Sequence, residues 1–223
     1  MKDILILAAH PDDEVLGMGS TVARWVDEGK RVSCAFLTDG VGARGGDSSE
    51  IKMRNQACIK SSELLGFDIL QSADFPDNKM DSVPLLDIVE YVEECISVFN
   101  PDTVFTHSSS DLNIDHRIAL EAVLTAARPQ PNSSIKRIMS FEIPSATGWR
   151  FDPVSNFSPN YFVPMTDASW NKKIKALQHY DAEMREFPHS RSYDAIDAQS
   201  IYRGSQLGVP RAEAFSILRW LED

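Results

Sequence analysis

Short apolar runs alternate with helix-period segments along almost the whole chain, and that alternation constrains the fold more than any single motif. Ile4-Leu5-Ile6-Leu7-Ala8-Ala9 has no polar face, as expected of a strand buried on both sides, so residues 3–9 read as the first strand. Segments 31–38, 67–70, 103–106 and 135–143 read as further strands. Between them, 17–29, 50–65, 85–99 and 115–127 read as helices, the first three closed by Gly29, Gly66 and Asn100-Pro101. Residues 170–180 and 193–206 predict later helices, and 212–221 a strand or a last helix. Residues 144–164, rich in Pro, Ser, Asn and aromatics, predict a long ordered loop, a wall or lid over a site. Strand following helix in this way predicts one Rossmann-like α/β domain over 1–223, a mostly parallel sheet with helices on both faces joined by right-handed crossovers. The motifs fall within 3–128, and 144–223 is expected to complete the sheet and wall the site.

Composition narrows the partners. With 33 Asp+Glu against 22 Lys+Arg the net charge is -11, which repels a phosphate backbone, so no nucleic acid partner is expected. The longest apolar stretch falls far short of the ~20 residues that span a bilayer, and no basic segment precedes a signal-like one; the expectation is a cytoplasmic protein without a membrane span. Cys34, Cys58 and Cys95 are widely spaced with no C-x-x-C, which predicts reduced, buried thiols and not disulfides or a thiolate zinc site. A homo-oligomer is left open.

His10-Pro11-Asp12-Asp13-Glu14 follows the first strand directly, where α/β folds gather catalytic groups. Pro11 fixes its own φ and biases His10 towards an extended backbone, so the side chains leave a stiff turn. Three acidic groups beside one imidazole repel each other unless a cation is present, and His with Asp suits zinc. A second acidic loop, His107-Ser108-Ser109-Ser110-Asp111-Leu112-Asn113-Ile114-Asp115-His116, begins at the end of the fourth strand. His10 and Asp13, with His116, would make a two-histidine, one-carboxylate set with a position left for water. Asp12, beside the ligands but facing away, is a candidate general base, and Asp115 would orient a ligand from outside. Each loop alone also reads as a turn with helix-capping residues, Asn113 and Asp115 among them; their joint occurrence favours the metal site.

Ala9-His10-Pro11-Asp12-Asp13-Glu14, Thr38-Asp39-Gly40 and Asp115-His116 together resemble the LmbE-like or PIG-L superfamily of zinc-dependent de-N-acetylases, over most of residues 3–128. The resemblance implies a Rossmann-like fold and removal of N-acetyl groups from amino sugars, nucleotide sugars or glycoconjugates, with Zn2+ or another divalent transition ion such as Fe2+. It makes His10, Asp13 and His116 the metal ligands and Asp12 the base, and it sets Arg54 and Asp77 against the sugar. A surface salt bridge and a turn aspartate are the plain alternatives for those two. One position departs: where many members have His-x-Asp-His, this chain has Asn113, which can donate a hydrogen bond to an oxyanion but cannot shuttle a proton. His189, with His107 behind it, is then the candidate for a catalytic contribution, a structural hydrogen-bonding role being equally open; otherwise Asp12 returns its own proton. Arg191 and Arg203 are candidates for binding an anionic substrate tail, and Glu14 for support. Trp149, Phe151, Phe157, Tyr161 and Phe162 read as core, a sugar-stacking wall or a subunit contact. Two other classes stand beside the hydrolase: a nucleotide-binding oxidoreductase, suggested by Gly17-Met18-Gly19, and a noncatalytic carbohydrate-binding protein, suggested by Asn113.

Overall fold

Ile4 to Ala8 are fully buried, and they form the middle of the molecule: β1 (Asp3–Ala8) is flanked by strands on both edges and by helices on both faces. The computed structural model describes residues 1–44, 48–151 and 156–222, the Arg44 side chain excepted. β1, β2 (Arg31–Phe36), β3 (Asp68–Ser72), β4 (Thr103–His107) and β5 (Arg137–Phe141) run parallel. β7 (Ala212–Trp220) pairs antiparallel with β5, and β6 (Tyr161–Pro164) antiparallel with β7, giving the order β3-β2-β1-β4-β5-β7-β6.

Alternate residues of the strands supply two cores. Ile4, Ile6, Cys34, Phe36, Phe105 and Phe141 face α1 (Asp13–Asp27), α2 (Ser48–Leu65), α5 (Asp167–His179) and α6 (Tyr193–Ser205). Leu5, Leu7, Ala35, Val104 and Ile138 face α3 (Leu85–Phe99) and α4 (Ile114–Ala126). The chain builds outward from β1 to β3 and then returns to lay β4 on the other side of β1, so the connections after β1 and β4 diverge and leave a crevice at their carboxyl ends. His10 and His107 lie there.

Several boundaries differ from those read in the sequence. α1 starts at Asp13 and not at residue 17, because the Asp12 carbonyl accepts the N–H groups of Val15 and Leu16 at 3.1 and 2.9 Å. The helix breaks at Met18, and a buried ion pair satisfies the groups set free: Glu213 accepts from Ser20 N and Thr21 N at 3.1 and 2.6 Å, while Lys173 Nζ donates to Leu16 O at 2.8 Å. Residues 144–164 contain a 3-10 turn, Thr147–Trp149, and end in β6, which gives β7 the partner its outer edge needs. Residues 45–47 of the glycine-rich loop and 152–155 of this segment lie outside the described residues. The 212–221 segment is strand, with Ala212, Ala214 and Phe215 buried.

Gly17-Met18-Gly19 forms no phosphate loop, for it lies inside α1. A Cβ on Gly17 would stand 2.6 Å from Cδ2 of the fully buried Phe141, so glycine here permits the helix to approach β5. Gly17→Ala is expected to lower stability in urea unfolding by ~1–3 kcal/mol through overpacking, outweighing the ~1 kcal/mol that alanine offers a helix interior. Unchanged or raised stability would mean that the Phe141 ring yields.

Candidate functional site

Asp12 and Asp13 are neighbours in sequence, yet their carboxylates serve separate systems. Asp12 has φ 131 and ψ -28, a conformation costing roughly 1–3 kcal/mol for a non-glycine residue. This twist sends Asp13 inward, where it is fully buried. Asp12 occupies the N-cap position of α1, but its side chain does not cap the helix, so the plain capping reading fails for it.

Three atoms converge around Asp13. His10 Nδ1 lies 3.1 Å from Asp13 Oδ2, His116 Nε2 lies 3.3 Å from the same oxygen, and the two nitrogens are 3.2 Å apart. Donors arranged tetrahedrally about a zinc-sized ion at ~2.0 Å are separated by about 3.3 Å, so this triangle has the dimensions of one face of such a site. Asp13 Oδ1 is buried with no hydrogen-bond partner, as an oxygen intended for a cation would be. The far side of each imidazole is anchored by carboxylate: His10 Nε2 lies 3.2 Å from Asp115 Oδ2 and 3.1 Å from Asp77 Oδ1, and His116 Nδ1 lies 3.0 Å from Asp111 Oδ2. Such partners fix ring orientation and tautomer in metal sites. The residues present therefore fit a divalent ion.

The charges agree with the geometry. Burial opposes a charged His10, yet hydrogen bonds with Asp115, Asp13 and Asp77 hold its pKa well above the ordinary value. Burial likewise opposes a charged His116, which Asp13 and Asp111 push up to about 9. Burial would raise Asp13, but the charge of His116 and hydrogen bonds with His10 and His116 hold it well below the usual carboxylate range. The carboxylates thus pull positive charge into the cluster, and a divalent ion supplies the same charge at the centre of the triangle. His107 is different: burial and His116 depress it. Its Nε2 accepts from Ala9 N at 2.9 Å and its ring stacks on His116 at 3.9 Å, so it lies under the triangle as a support.

Asp12 sits on the other side of the turn. Its Oδ2 accepts from Arg191 Nη1 at 2.9 Å and lies 3.5 Å from Arg54 Nη1. Burial raises its pKa, against the pull of Arg191. Above the triangle, Gly40 has φ +70, and a Cβ there would stand 3.3 Å from both Arg54 Nη1 and His10 Cβ. The Thr38-Asp39-Gly40 turn therefore lies against the histidine as only glycine allows.

A family model described as GlcNAc-PI de-N-acetylase, PIG-L, matches residues 5–127. The chain belongs to the PIG-L family. Diacetylchitobiose deacetylase from Thermococcus kodakarensis is 28% identical to it over 227 aligned residues, covering 96% of this chain and 82% of the relative. The solved structure of conserved protein TT1542 from Thermus thermophilus superposes with a TM-score of 0.80 at 24% identity, covering 100% of this chain and 97% of the other. That of GalB, the 4-carboxy-2-hydroxymuconate hydratase from Pseudomonas putida, gives 0.76 at 20% identity, covering 100% and 99%. A hydratase on this fold means that the fold does not decide the reaction, which must be argued from the site.

In this PIG-L member the remaining predicted residues are distributed unevenly. Asp77 touches His10 directly, and its Oδ2 accepts from Ala43 N at 2.9 Å, so it joins the imidazole's surroundings. Arg54 is buried; it donates to Pro11 O at 2.6 Å and pairs with Glu183. Arg191 also bonds Ser145 Oγ, and Arg203 pairs through two contacts with Glu142, so both arginines expected to bind an anionic tail are engaged within the protein. Asn113 caps α4, its Oδ1 accepting from Asp115 N at 2.8 Å and its Nδ2 donating to Asn78 Oδ1 at 3.0 Å. Asp115, besides reaching His10, accepts from Asn78 N and Met80 N. His189 rests against Trp149 of the Thr147–Trp149 turn and accepts from Arg191 N of its own loop, while the triangle is built by His10, Asp13 and His116. Of the aromatics, Trp149 and Phe151 are exposed, while Tyr161 packs against the buried core.

Sequence reading missed Asp111, Thr147, Tyr180 and Glu183. Asp111, held by Thr147 Oγ1 at 2.8 Å, stood in an acidic loop and had that one signal. Tyr180 and Glu183 had none, since they act across more than a hundred residues. Asp13→Ala is expected to abolish stoichiometric zinc binding in dialysed protein measured by elemental analysis. Asp111→Ala should weaken it about 10–100-fold in chelator competition; an unchanged affinity would show that Asp111 does not orient His116.

Proposed function

We propose that this protein is a metal-dependent amidohydrolase that removes an N-acetyl group from an amino sugar or glycoconjugate, with residues 1–223 acting as one catalytic unit. The reading is carried by one observation: a two-histidine, one-carboxylate triangle stands beside a separate, arginine-held carboxylate on the same turn. Family membership and the name of the Thermococcus relative, a diacetylchitobiose deacetylase, support the substrate class. His10, Asp13 and His116 would hold the ion; zinc suits these nitrogen and oxygen donors, and Fe2+ would accept the same set. Bound there, a divalent ion acidifies water and polarises a carbonyl oxygen.

The chain's own residues supply the rest. Asp12 takes one proton as water oxygen bonds to the acetyl carbon, and returns it to the amine nitrogen as the carbon–nitrogen bond breaks; the products are acetic acid and the amine, and the acid's remaining proton passes to the amine so that they part as acetate and ammonium. Arg191 and Arg54 keep its carboxylate in one place through that exchange. With Asn113 capping α4 and His189 engaged by Trp149 and Arg191 N, Asp12 is the proton carrier in both directions. Asp115, Asp77 and Asp111 orient the two imidazoles. A cavity of about 380 Å³ lined by Gly40, Val41, Met53, Arg54, Tyr180 and Glu183 has room for a sugar ring, and Arg54, which also faces Asp12, forms part of its wall. Three buried free cysteines support a cytoplasmic setting, and no helix among the described residues is long and apolar enough to cross a membrane.

Zinc-loaded protein should release acetate from N,N'-diacetylchitobiose or another N-acetylated sugar, lose that activity to a chelator and regain it with zinc. Absence of release across such a panel, with zinc demonstrably bound, would overturn the reading. Asp12→Asn should lower kcat on the order of 10²–10⁴-fold while zinc content stays the same, and retained turnover would remove Asp12 from the mechanism.

A further inference from the structure

Asp12 differs from the other non-glycine residues of positive φ in the described chain. Asn78, Asn100 and Asn132 lie at φ 53 to 67, where asparagine is tolerated, whereas Asp12 lies at φ 131. Something must hold it there. On its carbonyl side the first bonds of α1 do so. On its amide side the holder is Glu14, whose Oε2 accepts from Asp12 N at 2.9 Å. Glu14 is itself fully buried, and its other oxygen accepts from Tyr180 Oη at 2.9 Å. Tyr180 follows the last turn of α5, only 2% exposed, with the Arg54 guanidinium 5.9 Å from its ring centroid.

We propose that Tyr180 is a positioning residue for Asp12, acting through Glu14: α5 holds the phenol, the phenol holds the glutamate, and the glutamate holds the Asp12 amide in its strained orientation. This rests on the assignment of Asp12 as proton carrier. The argument is geometric. Once Glu14 Oε1 loses its donor, the carboxyl can rotate and release Asp12 N–H; the peptide between Pro11 and Asp12 then relaxes, and the Asp12 carboxylate leaves Arg191. Asp13 keeps its own contacts with His10 and His116, so the triangle survives.

The test uses full-length, zinc-loaded protein. Tyr180→Phe should lower kcat on the order of 10–100-fold with KM within about twofold of the parent and zinc content unchanged. Its crystal structure should show Asp12 away from positive φ with the Arg191 contact broken. Glu14→Gln keeps an acceptor for Asp12 N–H and an amide that can meet the phenol oxygen, and should retain kcat within about threefold, whereas Glu14→Leu should behave as Tyr180→Phe. Parent-like kcat in Tyr180→Phe, or a loss expressed in KM, would overturn the proposal; the latter would make Tyr180 a wall of the adjoining cavity only. If Tyr180→Phe does not fold, the Glu14 pair decides, with equal losses in Gln and Leu counting against it. If the parent releases no acetate, the hydrolase reading fails by itself. The crystal structures still judge the positioning, which is refuted if Asp12 stays at positive φ against Arg191 in Tyr180→Phe.

Discussion

A fully buried carboxylate, that of Asp13, is the constraint around which the site is organised. An isolated charge in such a place is costly enough that it must be paired, neutralised or given a metal. The protein answers with two imidazoles, His10 after β1 and His116 in the first turn of α4, both close to Asp13 Oδ2, and His107 at the end of β4 stacks on His116. This ties the end of β1 to the end of β4, the two strands between which the sheet changes direction. The tie then propagates. His116 needs Asp111; Asp111 needs Thr147 from the segment after β5; Arg150 donates to the carbonyls of Ser109 and Asp111. A charge planted at position 13 thus recruits structure as far along the chain as residue 150.

The other half of the turn looks the opposite way. Two consecutive aspartates in a regular helix start would crowd their charges together. The unusual backbone of Asp12 separates them, aiming one at histidines from the first half of the chain and the other at Arg191 from the second. The site is accordingly bipartite. The family model, which ends at residue 127, spans the triangle and its supporting carboxylates, while Tyr180, Glu183 and Arg191 lie beyond it. The fastening of Asp12 thus draws on both parts of the chain, Glu14 and Arg54 from within the matched region and Tyr180, Glu183 and Arg191 from beyond it.

The strands and helices were legible wherever one face of an element meets one kind of environment. β1 is apolar from Ile4 to Ala8 because both its faces are covered there, and α3 is legible to the residue because its amphipathic pattern ends at Asn100-Pro101. The start of α1 is not legible because Asp13 and Glu14 look like loop residues, yet both are fully buried, against the local pattern. β6 was hidden inside a segment of Pro, Asn and aromatics, its pairing being decided by β7, fifty residues later. In the site, the candidate ligands could be read because they fall on two short motifs at strand ends. The arginines mark the limit of that legibility, because sequence gives a charge and not its partner: Arg191 and Arg203, candidates for an anionic tail, are both bound to carboxylates of the protein.

Asn113 links these threads. The resemblance to the family sets a histidine at that position, a group able to move a proton. The asparagine instead spends its carbonyl on the Asp115 amide and an amide N–H on Asn78, holding the start of α4 and the loop that also binds Asp115. Asp115 orients His10, so Asn113 contributes to the stiffness of the triangle, not to proton transfer. Under the proposed mechanism one group takes and returns the proton, and efficiency then depends on how rigidly that group is held. The structure fastens Asp12 by two arginines at the carboxylate and by Glu14, itself held by Tyr180, at the amide, and in the proposed reaction this fixed geometry would offset the lack of a second proton carrier.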